Sequence, residues 1–177
     1  MTIYQFLTGS HDEDVIMSLT MPGETKPFTK VTKGVADYLD VSVAARTVDP
    51  DIAVIFEATT AADLPDSHGA ERVCELGKGA VISFMDGRTV YDKTLYDHAV
   101  HVCEENHIAW QTKTKIAGGN DAGAIQNAGS GVRVLAVSVP CRYLHAPVSV
   151  VRISDMEACE KLAELLLLTL QDVEDTP

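Results

Sequence analysis

Strand-like and helix-like segments alternate from about Asp51 onward, and this alternation constrains the fold more than any other feature of the chain. Short, continuous apolar or β-branched runs are typical of strands inside a sheet. Apolar residues spaced three or four positions apart are typical of amphipathic helices. The predicted strands are residues 52–56, 79–84 and 132–139, and the predicted helices are residues 91–106, 121–128 and 154–171. Such alternation predicts a three-layer α/β sandwich.

Two weaker predictions concern the two ends of the chain. Ser154, followed three residues later by Glu157, predicts a capping box at the start of the last helix. Residues 1–42 show little periodicity beyond a helix predicted at about 35–46, and they are too few to hold a core of their own. We therefore treat residues 1–42 as a divergent segment and residues 43–177 as the body of the fold.

Composition excludes some classes of partner. Of the 177 residues, 46% are hydrophobic, enough to build a core. Fourteen basic and 26 acidic residues give a net charge of −12, so neither nucleic acid nor an anionic membrane is an expected partner. The four cysteines form no CxxC pair, and the first residues do not resemble a secretory leader. We expect a cytoplasmic protein with free thiols.

Two polar side chains follow apolar strands and are candidate metal ligands. Glu57 ends the predicted strand 52–56 and precedes a loop of small residues that contains a second carboxylate, Asp63. His145 follows the predicted strand 132–139, between Tyr143 and Pro147. Histidine and carboxylate groups at strand ends are common metal ligands. The alternative is that both are ordinary surface groups at the ends of strands.

A glycine pair precedes the short predicted helix, in the sequence Gly118-Gly119-Asn120-Asp121. Glycines before a helix allow backbone N–H groups to face an anion or a substrate carbonyl. The same pattern is also typical of an ordinary turn with a helix N-cap. It does not match the phosphate-binding GxxxxGKS or GxGxxG patterns.

Five segments, in this order and spacing, resemble the M42 family of metallo-aminopeptidases, which includes glutamyl, leucyl and deblocking aminopeptidases and proteins labelled endoglucanases. The resemblance runs from about Val43 to Gln171. The segments are Phe56-Glu57-Ala58-Thr59-Thr60-Ala61-Ala62-Asp63-Leu64-Pro65, Leu76-Gly77-Lys78-Gly79, Phe84-Met85-Asp86, Ala117-Gly118-Gly119-Asn120-Asp121-Ala122-Gly123 and Val139-Pro140-Cys141-Arg142-Tyr143-Leu144-His145-Ala146-Pro147.

The resemblance implies a fold of the zinc-peptidase type that holds two divalent metals, zinc or cobalt. It implies peptide substrates, cleaved at the amino terminus, and a homo-oligomeric assembly. By position in the motifs, Glu57 corresponds to a ligand of one metal and His145 to a ligand of the other. The substrate side is implied for Gly118, Gly119, Asn120, Asp121, Arg142 and Tyr143, of which the last two would also buttress His145.

The amino-terminal part departs from the family. The family's Glu-Glu pair, which provides the general base and a ligand, would fall at Gly34-Val35, and no segment before Val43 resembles the motif of the bridging aspartate. We therefore assign no catalytic residue and expect residues 43–177 to form the carboxyl-terminal part of a catalytic domain, with an incomplete amino-terminal half. A tight divalent site needs three or more ligands, so we expect this chain alone to bind metal weakly and to be inactive.

Two alternatives remain open. The chain could be a non-catalytic module that retains the peptidase fold and binds peptides or sister subunits. Alternatively, the polar cluster His11-Asp12-Glu13-Asp14 could replace the missing ligands, although no apolar segment beside it would hold these side chains in place.

Overall fold

The structure is a computed structural model that describes residues 16–19, 29–32, 38–67, 71–170 and 173. The strands are β1 (Ile16–Leu19), β2 (Thr29–Thr32), β3 (Ile52–Thr60), β4 (Ala80–Ile82), β5 (Trp110–Thr112), β6 (Arg133–Arg142) and β7 (Val150–Val151). The helices are α1 (Tyr38–Val48), α2 (Lys93–Glu105), α3 (Ala122–Gln126) and α4 (Ile153–Thr169).

Five strands form a mixed sheet in which β6 is the central element. The main strand order is β3-β6-β4-β5, and the short β7 pairs with the end of β6. β3 runs parallel to β6, with Ile52 beside Arg133 and Thr60 beside Cys141, whereas β4 and β7 run antiparallel to β6. β1 and β2 form a separate antiparallel pair.

One face of the sheet is covered by α2 and α4. Leu95 and Ala99 of α2 and Leu162 and Leu166 of α4 are fully buried against strand residues such as Leu135. The spacing of these residues, three or four positions apart, is the reason that each helix presents one apolar face to the sheet. This layer contains the main hydrophobic core.

The other face is covered by α3, on which α1 packs. Ala122 and Ile125 of α3 lie in a second cluster with Val134 and Ala136 of β6 and with Tyr91. Helices therefore lie on both faces of the sheet, and the predicted three-layer α/β sandwich is confirmed.

The strand predicted at 52–56 was wrong in two respects. β3 continues to Thr60, so Glu57 lies within the strand and not at its end. The strand was also expected to be buried, yet Ile52–Ile55 are only partly buried and Phe56 is 45% exposed. The reason is its position, because β3 is the edge strand of the described sheet and pairs there only with β6.

The predicted capping box at Ser154 was also wrong. α4 begins at Ile153, its N-cap position is Arg152, and no side chain caps it. Asp155, 1% exposed, instead accepts hydrogen bonds from the backbone N–H groups of Gly77 (2.7 Å) and Gly79 (2.9 Å). The first turn of α4 therefore anchors a distant loop.

Within the part of the chain that the structure describes, no helix combines the length and apolarity needed to cross a membrane.

Candidate functional site

Glu57 lies in the second half of β3, beside Ser138 of β6. Alternate residues of a strand share a face, so Glu57 is on the side of Ala53 and Ile55, which pack in the α3 cluster. The carboxyl ends of β3 and β6 meet at the same edge of the sheet because the two strands are parallel. Glu57 and the segment that follows β6 are thereby brought to one end of the fold.

A side-chain amide holds the Glu57 carboxylate. Asn120 Nδ2 donates a hydrogen bond to Glu57 Oε1 at 2.7 Å. Burial raises the pKa of Glu57, and the negative charges of Asp86 and Asp121 act in the same direction. The hydrogen bond from Asn120 and the positive charge of Lys113 oppose this shift. A nearby positive charge would favour the ionised form of such a carboxylate.

Asn120 belongs to a longer chain of hydrogen bonds. Its Nδ2 also donates to the Tyr91 hydroxyl at 2.9 Å, and that hydroxyl donates to Asp86 Oδ2 at 2.6 Å. The other oxygen of Asp86 accepts from the backbone N–H groups of Arg88 (2.8 Å) and Thr89 (2.9 Å). The network thus links β3 to the turn at residues 86–89.

The Gly118-Gly119 pair packs its loop against the same turn. The N–H of Gly87 donates to the carbonyl oxygen of Gly118 at 2.8 Å, and Gly118 has a φ of +65°. A Cβ atom at Gly119 would lie 2.8 Å from side-chain carbons of Arg88. Both glycines therefore have a structural reason to be present. Asp121 occupies the N-cap position of α3 without making a side-chain cap.

Asp63, the second carboxylate candidate, is already paired. Its Oδ1 accepts from Arg142 Nε at 2.6 Å, and its Oδ2 accepts from Arg142 Nη2 and from the N–H of Leu76, each at 3.0 Å. The hydrogen bond from Arg142 is the largest cause that lowers the pKa of Asp63. The guanidinium of Arg142 therefore joins the end of β6 to the loop after β3.

His145 lies in an exposed turn that begins immediately after β6. Tyr143 and His145 have φ values of +61° and +67°, a backbone region that non-glycine residues seldom adopt. The N–H of Ala146 donates to the carbonyl of Tyr143 at 3.0 Å and closes the turn. The side chain of Tyr143 is also exposed.

The donor groups in the described residues do not complete a metal site. No three of their histidine, cysteine, aspartate or glutamate side chains converge in a way that could hold an ion. Glu57 and His145 supply one donor group each, fewer than a tight divalent site requires. Residues 11–14 and Gly34-Val35 lie outside the described part of the chain.

Sequence reasoning missed the partners of Glu57. Tyr91 and Asp86 carry no motif that marks them as neighbours of residue 57, because their contact depends on packing between segments distant in sequence. It also missed Ser138, which is 1% exposed and whose hydroxyl has no hydrogen-bond partner among the residues placed by the structure. An isolated serine in an apolar strand was the available signal.

Comparisons with known proteins agree with this arrangement. A family model described as M42 glutamyl aminopeptidase matches residues 40–162. Lysyl aminopeptidase of Pyrococcus furiosus is 32% identical over 136 residues, which is 76% of this chain and 38% of that protein. Among solved structures, aminopeptidase APDkam598 from Desulfurococcus kamchatkensis superposes with a TM-score of 0.71 at 27% identity, over 77% of this chain and 40% of that chain.

A TET1 peptidase of Pyrococcus horikoshii, described as able to assemble into a tetrahedron or a large octahedral shell, matches with a TM-score of 0.59 at 29% identity, over 74% of this chain and 37% of that chain. This chain spans little more than a third of the length of the curated relatives that it matches, 36% and 38% in two cases. The matched region contains β3, the Asn120 loop and the turn after β6. The chain belongs to the M42 family of aminopeptidases.

Proposed function

We propose that this chain supplies part of the active site of a metal-dependent aminopeptidase that removes amino-terminal residues from peptides. Residues 43–177 would form the carboxyl-terminal part of the catalytic domain. The observation that carries the proposal is the position of Glu57, a half-buried carboxylate held by Asn120 inside the region that matches the family. A carboxylate with a raised pKa gains most from a nearby cation.

In this proposal, Glu57 is a ligand of one divalent metal, zinc or cobalt, and His145 is a ligand of the other. The residues on the substrate side would be Gly118, Gly119, Asn120, Asp121, Arg142 and Tyr143. The parallel pairing of β3 with β6 supports the assignment, because it brings both candidate ligands to one end of the sheet. When bound, the metals would supply an activated water and polarise the peptide carbonyl.

The chain alone is expected to be inactive, since its described residues offer only one candidate ligand for each metal and no group of three donors. The test is hydrolysis of aminoacyl-p-nitroanilides by the purified chain, with and without added Co²⁺ or Zn²⁺. The proposal predicts no hydrolysis above that of the metal salt alone. Hydrolysis that Glu57→Ala or His145→Ala abolishes would show instead that the chain holds a complete centre.

The second candidate is a non-catalytic module that binds peptides or copies of itself. The specific observation in its favour is the edge strand β3, where Phe56 is 45% exposed and no second strand pairs within the described sheet. An apolar edge strand of this kind is a ready site for strand addition. A relative that assembles into shells also supports a homo-oligomer.

Light scattering coupled to size-exclusion chromatography separates the two candidates in part. A stable oligomer of defined size, without hydrolysis at any metal concentration, supports the assembly module. A monomer at all concentrations rules out a module that binds copies of itself.

A further inference from the structure

The outer edge of β3, on the side away from β6, has a hydrogen-bonding pattern that is complementary to its own copy. We propose that two copies of this chain pair through β3 as antiparallel strands, with the twofold axis at Phe56. The proposal deepens the second candidate function and rests on its self-association, and it does not depend on a metal.

The hydrogen bonds between β3 and β6 show which backbone groups lie on the outer edge. The carbonyl of Asp51 accepts from the N–H of Arg133 at 3.2 Å. At the other end, the N–H of Ala61 donates to the carbonyl of Cys141 at 2.9 Å. The N–H and C=O groups of one residue point to the same side of a strand, and successive residues alternate. Odd-numbered residues of β3 therefore face β6. The even-numbered residues turn their backbone groups to the outer edge, where no other described strand pairs: Ile52, Val54, Phe56, Ala58 and Thr60.

These five residues are symmetric about Phe56, the middle residue of the nine-residue strand. In an antiparallel pair centred there, Phe56 lies opposite Phe56 of the copy, and Val54 lies opposite Ala58. The two end residues, Ile52 and Thr60, also lie opposite each other. Every outward N–H then donates to the copy and every outward carbonyl accepts from it. The same edge serves both copies, as a twofold interface requires, and a register shifted by two residues would leave one of the five without a partner strand.

The outer edge lacks the features that usually prevent such pairing. Exposed edge strands are commonly protected by lysine, proline or a bulge, but the five outward residues are uncharged and β3 is continuous. Glu57 is the only charged residue of β3, and in the register centred on Phe56 it lies opposite Ile55 of the copy. In the register centred on Glu57, two carboxylates would face each other directly, which is unfavourable.

Side-chain packing favours the same centre. Ile52 and Val54 are partly buried on the face covered by α2 and α4, whereas Phe56, on the same face, is 45% exposed. In the proposed pair the two Phe56 rings would cover each other. A contact limited to one strand pair is small beside the about 1,200–2,000 Å² of a stable interface. Each chain also carries a net charge of −12. We therefore expect a weak, reversible dimer that salt strengthens by screening this charge.

The first test is amide hydrogen exchange of the wild-type chain, resolved by residue in ¹H–¹⁵N spectra at several protein concentrations. Sedimentation velocity at the same concentrations gives the fraction of dimer. Amides of odd-numbered β3 residues should be protected throughout, because they bond to β6. Those of even-numbered β3 residues should exchange rapidly in the monomer and about tenfold more slowly when nine-tenths of the chains are in the dimer.

Three results of that experiment would overturn the pairing. Dimers without added protection of the even-numbered amides would place the contact on another surface and leave a self-binding module intact. Protection of these amides in the monomer would mean that another segment of the same chain covers the edge. A monomer at all concentrations would contradict both the pairing and the self-binding module. None of these results decides whether the chain is part of a metal-dependent catalytic domain.

The second test measures the register with single cysteines and a bis-thiol reagent that spans about 5.5 Å, the Cα separation of a hydrogen-bonded pair. Phe56→Cys should couple to itself. Val54→Cys and Ala58→Cys should each fail to couple alone, but a mixture of the two should couple. Leu168→Cys, at an exposed position on α4, is the matched control, and the native cysteines are buried. Coupling of either variant alone, with none in the mixture, would contradict the register.

Discussion

The carboxyl group of Asp63 connects three segments of the chain. It accepts two hydrogen bonds from Arg142 and one from the N–H of Leu76, and its side chain is 6% exposed. A bidentate arginine pair of this kind fixes both partners in one geometry. The pair joins the loop after β3 to the end of β6, where the turn with His145 begins.

Asp63→Asn should lower the free energy of unfolding at pH 7 by about 1–3 kcal/mol, because one charged acceptor is lost from a nearly buried site. The folded pKa of Asp63 lies below 3.8, so its contribution is complete above pH 3.8 and is lost as the pH falls through the folded value. Urea unfolding of wild type and variant should therefore converge at low pH. Asp66→Asn, at an exposed position, is the matched control. A difference that stays constant down to the lowest pH would contradict this account.

The cysteine thiols give a second prediction at the residue scale. Burial raises the pKa of Cys74, Cys103 and Cys159 to about 12, so almost no thiolate exists at pH 8. In the native protein these three thiols should not react with an aromatic disulfide reagent within minutes. All four cysteines should react at once in denaturant, which is the internal control. Rapid reaction of the three in native conditions would mean that the core opens readily.

At the scale of elements, the segment Leu76-Gly77-Lys78-Gly79 connects the region before β4 to the start of α4. Gly77 and Gly79 have φ values of +84° and +89°, and both donate to Asp155 of α4. A Cβ atom at Gly79 would collide with the backbone carbonyl of Ala109, whereas one at Gly77 would meet the movable end of the Arg152 side chain. The two glycines therefore share a positive φ and differ in what a Cβ atom would meet, so their alanine variants can be compared directly.

Gly79→Ala should destabilise the fold more than Gly77→Ala. Both changes carry the penalty of about 1–2 kcal/mol for a positive φ, but at Gly79 the backbone itself must also move. Thermal or urea unfolding of the two variants measures the difference. Equal destabilisation would mean that Gly79 and Ala109 do not approach as closely as the structure places them.

The helices and strands also indicate how much of the fold could be predicted from the sequence. Three of the strands and the three helices after residue 51 were predicted from local sequence patterns, such as the apolar spacing of Leu95, Ala99, Val102 and Cys103 on the buried face of α2. The short strands β5 and β7 were not predicted. The role of Asp155 was not predictable, because its partners lie more than seventy residues away, at separations of 78 and 76. The local pattern of Ser154 and Glu157 predicted a helix N-cap at the start of α4. Instead, Asp155 in that turn makes long-range hydrogen bonds to Gly77 and Gly79.

The candidate site could likewise be predicted only in part, because its contacts join segments that are distant in sequence. Motif position identified Glu57 and Asn120 as belonging to one region, and the structure joins them by a hydrogen bond. Neither periodicity nor motif indicated that Tyr91 and Asp86 complete the network. The exposure of Phe56 depends on which strands lie beside β3, and the composition of β3 does not reveal this.

At the scale of the whole molecule, we expect self-association to involve β3, the edge strand of the described sheet. A long apolar edge strand invites pairing with another chain unless it is covered or carries charge. Replacing the exposed Phe56 by lysine should reduce self-association at high protein concentration. Leu168→Lys, at an exposed position on α4, should have little effect and is the matched control. Sedimentation velocity measures both, and equal behaviour of the two variants would place self-association elsewhere.

The relation of this chain to its family is likewise a property of the whole molecule. It carries β3, the Asn120 loop and the turn after β6, but it spans 36% and 38% of the length of two matched relatives. Among the residues that the structure describes, one candidate ligand for each proposed metal is present, and no group of three donors completes either proposed site.

Elemental analysis of the purified chain after dialysis, following growth in medium with added zinc and cobalt, tests this account most directly. The account predicts far less than one metal ion per chain, with no change in Glu57→Ala or His145→Ala. Two tightly held ions per chain in the wild type, lost in both variants, would contradict it.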